Sequence, residues 1–162
     1  MTAHHRGEDG RARELARDAL GLAEAAGDAL ALAQAHNILG VLASGQRDLS
    51  GARSHLERSA ALAETLGDLS VRVAALNNLA LSLRAAGDGV GAIAVAGEAL
   101  ALCARMGDRH REAALHNNLS DLLHEAGRSE DAREHLKQAV TIFADIGEQG
   151  VALPEVCKLV EW

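Results

Sequence analysis

Asparagine is the residue type in this chain whose spacing most suggests a binding device. Asn37, Asn77 and Asn117 recur every 40 residues. A carboxamide both donates and accepts hydrogen bonds, so such a row can hold the backbone of a bound segment without reading its side chains. Asparagine is also a poor helix-interior residue, so its recurrence calls for a reason. Histidine offers a second chemistry, since the chain has 8. His36 shares its position in the period with His116, and His55 shares its position with His135, a recurrence that duplication explains. His4-His5 is a lone pair near one end. His116 and His124 are not the three or four residues apart that would place two metal ligands on one helical turn. No metal site is expected. Glu57, Glu98 and Glu134 stand outside any constellation that would raise a carboxylate pKa. There is no phosphate-binding glycine loop and no nucleophile elbow. The sequence therefore predicts no catalytic residue, no cofactor and no enzymatic role.

The elements that position these residues follow from a second recurrence. Gly27-Asp28, Gly67-Asp68 and Gly107-Asp108 share the 40-residue step, and Gly147-Glu148 continues it. A period of 20–50 residues marks a stack of copied supersecondary units. Arg47, Gly87 and Gly127 fall midway through successive units, with apolar residues at helical spacing on both sides. Each unit thus holds two helices. First helices are predicted over 29–44, 69–86 and 109–126, and second helices over 49–66, 89–106 and 129–146. The inter-unit glycine ends one helix in the left-handed conformation, and the aspartate after it caps the next. Arg47 replaces a turn glycine at a predicted loss of about 1 kcal/mol, unless Gly45 shifts the turn.

Composition narrows the classes. The chain is 48% hydrophobic but 1% aromatic, so alanine and leucine build the core, which favours closely approaching helices over a sheet. A net charge of −7 argues against nucleic acid and anionic membrane as partners. Two cysteines, Cys103 and Cys157, read as small buried hydrophobes in a reducing compartment. No apolar run near 18 residues and no signal peptide are apparent, so a soluble, cytoplasmic protein is expected.

The pattern resembles the tetratricopeptide repeat, whose signature places Leu-Gly in the first helix and a small residue opposite it in the second. Leu39-Gly40, Leu79-Ala80 and Leu119-Ser120 occupy the first position. Ala52, Ala92 and Ala132 occupy the small position, and Ser59, Ala99 and Ala139 a second small one. Leu83 and Leu123 take a large first-helix position where the first unit has Ala43. The opening Trp of the motif is His36, Leu76 or His116, and the closing Pro is absent. The long period is similar to that of Pins-type polarity adaptors, kinesin light chains and the C-terminal arms of bacterial signalling regulators. The resemblance implies an all-α, right-handed superhelical solenoid of antiparallel helix pairs. It also implies a protein-binding scaffold with an extended ligand held by first-helix asparagines.

The register divides the chain into a half-repeat over 1–27, repeats over 28–67, 68–107 and 108–147, and a capping helix within 148–162. In the half-repeat, Gly7 takes the mid-unit turn and 10–26 form a second helix whose first helix is missing, with Met1 to Arg6 as that partner's tail. Such an open face suggests a fragment of a larger protein or a self-pairing surface. Val156, Leu159 and Val160 give the C-terminal cap its helical spacing.

Around each first helix, Asn37 lies about 200° from the core residue Leu39 and points outward. Gln34 and Val41 share that face. The equivalent rows hold Asn77, Leu81 and Arg84, then Asn117, Asp121 and His124. Asn78 and Asn118 lie about 100° further round, toward the neighbouring repeat. These eleven residues form the candidate concave groove for a protein or peptide segment. The same asparagines also suit a purely structural role, bonding between repeats to fix their register. A different class of function is a self-association element that forms a homodimer through 10–26.

Overall fold

The computed structural model describes residues 3–147, which fold into seven α-helices with no strand among them. In chain order they are α1 (Ala3–Ala26), α2 (Ala29–Gly45), α3 (Leu49–Leu66), α4 (Leu69–Ala85), α5 (Gly89–Met106), α6 (Arg109–Glu125) and α7 (Ser129–Asp145). All six predicted helix ranges within the repeats match to within one residue at each end. The chain divides into two compact units, one ending at Ala86 with α1–α4 and the other starting at Gly87 with α5–α7. The expected C-terminal cap lies outside the described residues.

Helix boundaries are set by short polar devices. Asp28, Asp68 and Asp108 each accept backbone N–H bonds from the first turn of the helix that follows. Asp48 and Asp88 do the same for the second helices, bonding the amides of Gly51 and Gly91. The mid-unit turn therefore carries its own cap, which the inter-unit pattern did not reveal. α7 is the exception, since Arg128 at its N-cap makes no side-chain capping bond. Arg47 keeps the left-handed backbone of the glycines it replaces, with φ 62° against 83° at Gly87 and 76° at Gly127. The turn is not shifted by Gly45, which lies inside α2.

Two expectations need correction. α1 runs unbroken from Ala3 through Gly7 and Gly10, so residues 3–6, assigned to the tail of a missing partner, belong to the helix itself. Gly7 marks a turn only where a first helix precedes it, and here the chain continues helically at the modest loss glycine imposes. The absence of an apolar run near 18 residues does not hold either. α5 has 18 residues and is long and apolar enough, by length and composition alone, to cross a membrane. Its apolar character comes from small residues, and Ala92, Ala96, Ala99, Leu102 and Cys103 are buried. α5 packs on α6.

In the first unit, α2 packs on α1, α3 and α4, and α3 on α4. Ala33, Ala35, Leu39 and Gly40 of α2 are buried, as are Ala52, Leu56 and Ser59 of α3. The approach at Gly40 is so close that a Cβ there would sit 2.5 Å from Leu56 Cγ. Ser59 replaces the usual alanine and stays satisfied, its hydroxyl donating to the Ala33 carbonyl at 2.7 Å. In the second unit, Ala113 of α6 clusters with Ala139, Ile142 and Phe143 of α7. Phe143 and His110 meet in a T-shaped contact with ring centroids 6.2 Å apart.

Candidate partner-binding surface

α2 and α4, the first helices of two successive repeats, touch within the first unit. Gln34, Val41 and Leu81 are exposed there, while Asn37, Asn77, Asn78 and Arg84 are half-buried. None of the expected groove residues on these two helices is buried. Asn78 Nδ2 donates to Asn37 Oδ1 at 3.0 Å, so the amide pairing runs diagonally, from the first residue of one row to the second asparagine of the next. That bond ties α2 to α4 and leaves Val41 (46% exposed) and Leu81 (38%) beside it as an apolar edge. Ile38 adds to the edge at 51% exposure. It was missed because asparagine fills its place in the other repeats, and the departure itself was the available signal. On α6 in the second unit, Asn117, Asn118, Asp121 and His124 are all half-buried.

A second arrangement was not legible from the spacing alone. His36 of α2 meets His55 of α3 with the two Nδ1 atoms 2.9 Å apart. His116 of α6 meets His135 of α7 at the same 2.9 Å. Burial is the main cause that lowers the pKa of His36, His116 and His135 from the ordinary value. For His36 and His116, charge on the partner ring adds to the lowering. Nearby carboxylates oppose it: Glu24 at His36, Glu112 at His116, and Asp131 and Glu134 at His135. Beside His55 lies a cavity of about 190 Å³ with Arg13, Arg17, Leu39, Ala43 and Asp48 in its wall. Beside His135 lies its counterpart of about 240 Å³, where Ile93 and Gly97 stand in the places of Arg13 and Arg17.

Residues 71–145 match the family model for the tetratricopeptide repeat. Residues 71–145 thus carry tetratricopeptide-type repeats. Among solved structures, the crystal structure of BtubC (BKLC) from P. vanneervenii is similar to it, with a TM-score of 0.69 and 23% identity over 91% of this chain and 59% of that one. At that identity the likeness concerns the fold, and this chain spans 59% of the BtubC chain. No curated protein matches it. Tetratricopeptide repeats generally mediate protein–protein interaction.

Proposed function

We propose that this tetratricopeptide-type protein is a non-catalytic scaffold that holds a peptide segment of a partner protein against its first helices. The observation that carries the reading is the α2/α4 edge, where Val41, Leu81 and Ile38 are exposed beside the Asn37–Asn78 amide pair. An apolar edge flanked by amides suits an extended segment, with side chains on the former and backbone on the latter. The fitting experiment is affinity capture of partners with wild type, with Val41→Asp/Leu81→Asp and with Asn77→Ala/Asn117→Ala. A variant on an outer second helix, Glu57→Ala, is the control. Partners lost from the first two variants and kept by the third support the groove. Equal recovery by all four removes it.

A second reading rests on α1. Leu15 and Leu22 are 61% and 73% exposed. They lie seven residues apart, on one stripe of the helix. By register they match His55 and Leu62 of α3, residues of a second helix. Self-association through this stripe would give a dimer that Leu15→Asp/Leu22→Asp converts to monomer in light scattering. A wild type that stays monomeric at tens of micromolar sinks it.

A further inference from the structure

Four of the eight histidines are committed to two pairs at equivalent places, each joining the first and second helix of one repeat. The corresponding positions of the middle repeat are Leu76 and Val95, so both members change together to apolar residues. Histidine is thus kept on both helices of a repeat or on neither, and the pairs bring a property that apolar residues at those positions lack.

The geometry says which property. Ring centroids are 5.2 Å apart in the first pair and 5.1 Å in the second, with the planes tilted by 38° in both. With the Nδ1 atoms 2.9 Å apart, the rings meet nitrogen to nitrogen, nearly end-on. Each lone pair thus aims at the other ring, whereas metal chelation needs the two to converge on a third point. No group of three or more His, Cys, Asp or Glu side chains able to hold a metal exists among the described residues. The contact is a hydrogen bond, in which one Nδ1 donates and the other accepts.

We propose that the two histidine pairs are proton-gated latches: each clasps its helix hairpin while its facing Nδ1 atoms carry one hydrogen between them, and releases it when both carry one. A first added proton goes to Nε2 of the donor ring and leaves the bond in place, now charge-assisted. The second must occupy the acceptor Nδ1. It removes the lone pair and sets N–H against N–H between two cations. The two protons thus titrate as a coupled pair.

Charged groups surround both pairs. Facing the first are Arg13, Arg17 and Glu24 of α1, Arg58 of α3 and Asp48 at its cap. On α4, Arg72 is drawn to Glu64 at 2.9 Å, and Arg84 lies on the last turn. Facing the second are Arg109 and Glu112 of α6, Asp131 and Glu134 of α7, and Arg128 before it. α5 offers Ile93 and Gly97 there, with Glu98 next in the chain. Cations prevail at the first pair and carboxylates at the second, so the surrounding charge opposes an added proton at the first and favours it at the second. In a released hairpin His36, His116 and His135 escape burial and regain the ordinary value near 6.5. The released form then binds more protons than the latched one below that pH. Latching is complete above about pH 6.5 and is lost as pH falls below it.

Nitrogen-resolved NMR of the histidine rings and amide hydrogen exchange on the full chain test this. At pH 7.5, each pair should show one ring protonated at Nδ1 and the other at Nε2. Below pH 6.5, amides of α2, α3, α6 and α7 should exchange about tenfold faster per pH unit per extra proton, after correction for intrinsic rates. The variant His36→Leu/His55→Val/His116→Leu/His135→Val, which carries the middle repeat's residues, should lose that acceleration. Four Nε2-protonated rings at pH 7.5 would overturn the latch, as would parallel exchange profiles of wild type and variant. Should the variant not fold, the ring protonation pattern of the wild type decides alone.

Discussion

Replacing Gly40 by alanine should destabilise the α2/α3 hairpin, although intrinsic helix propensity favours the change by about 0.8–1 kcal/mol. The new Cβ would lie 2.5 Å from Leu56 Cγ and 2.7 Å from Leu56 Cδ2, with the Ala52 carbonyl oxygen at 3.3 Å. Leu56 is fully buried, so it has no open space to move into. Overpacking of this kind typically costs about 1–3 kcal/mol. The net expectation is a loss of about 1 kcal/mol, read as a fall of roughly 0.3–1 M in the urea midpoint. A double-mutant cycle isolates the cause. Leu56→Ala alone should cost about 2–5 kcal/mol. In that background Gly40→Ala should become stabilising, because the clash is gone and only propensity remains. A Gly40→Ala midpoint above wild type would refute the reasoning, and so would equal effects in the two backgrounds.

Arg47→Gly should raise stability by about 0.5–1 kcal/mol, the left-handed penalty of about 1–2 less the backbone entropy of glycine; Gly127→Arg should lower it by a similar amount, both followed by urea unfolding. Ser120→Ala should stabilise by about 1 kcal/mol, because the buried Ser120 hydroxyl has no hydrogen-bond partner among the described residues; a lower melting temperature would contradict this. Asp88→Ala should cost about 1 kcal/mol by removing the Gly91 cap, whereas Arg128→Ala, at a position without a capping bond, should change the midpoint little. His135→Val should cost about 1–3 kcal/mol at pH 7.5 by stranding His116, while His116→Leu/His135→Val together should be nearly neutral, a non-additivity that thermal unfolding reads directly.

Much of the fold was legible because one constraint repeats. Glycine can adopt positive φ and aspartate can cap, so Gly-Asp every 40 residues fixes where helices stop and start. What escaped were features that depend on a partner outside the local pattern. Gly7 looks like the other turn glycines, yet α1 runs through it, since a helix ends where tertiary contacts draw the chain back. Asn37, Asn77 and Asn117 are half-buried, and the partner that each amide takes was not legible. Asn37 lies half-buried on α2, and whether it meets Asn77 or Asn78 depends on the offset between helices, which spacing does not encode. The histidine pairs hid for the same reason. His36 and His55 stand on different helices, and nothing in either helix says that the rings touch. Their joint replacement by Leu76 and Val95 was the only trace.

In a stack whose units must all pack alike, specific chemistry has to enter where the units differ. His36 is followed in sequence by Asn37, and His116 by Asn117. The latch residue and the neighbouring amide are thus about 100° apart on one helix, one facing the second helix of the repeat and the other the proposed binding face. When a second proton parts His36 from His55, α2 loses a bond to α3 while the Asn37–Asn78 bond still ties it to α4. Any movement of α2 that follows displaces Val41 relative to Leu81, the apolar edge on which a partner would rest. Partner capture that weakens between pH 7 and 5.5 in wild type, and holds constant in the fourfold histidine variant, would join the two readings. Capture with equal pH dependence in both would show that the latch and the surface act independently.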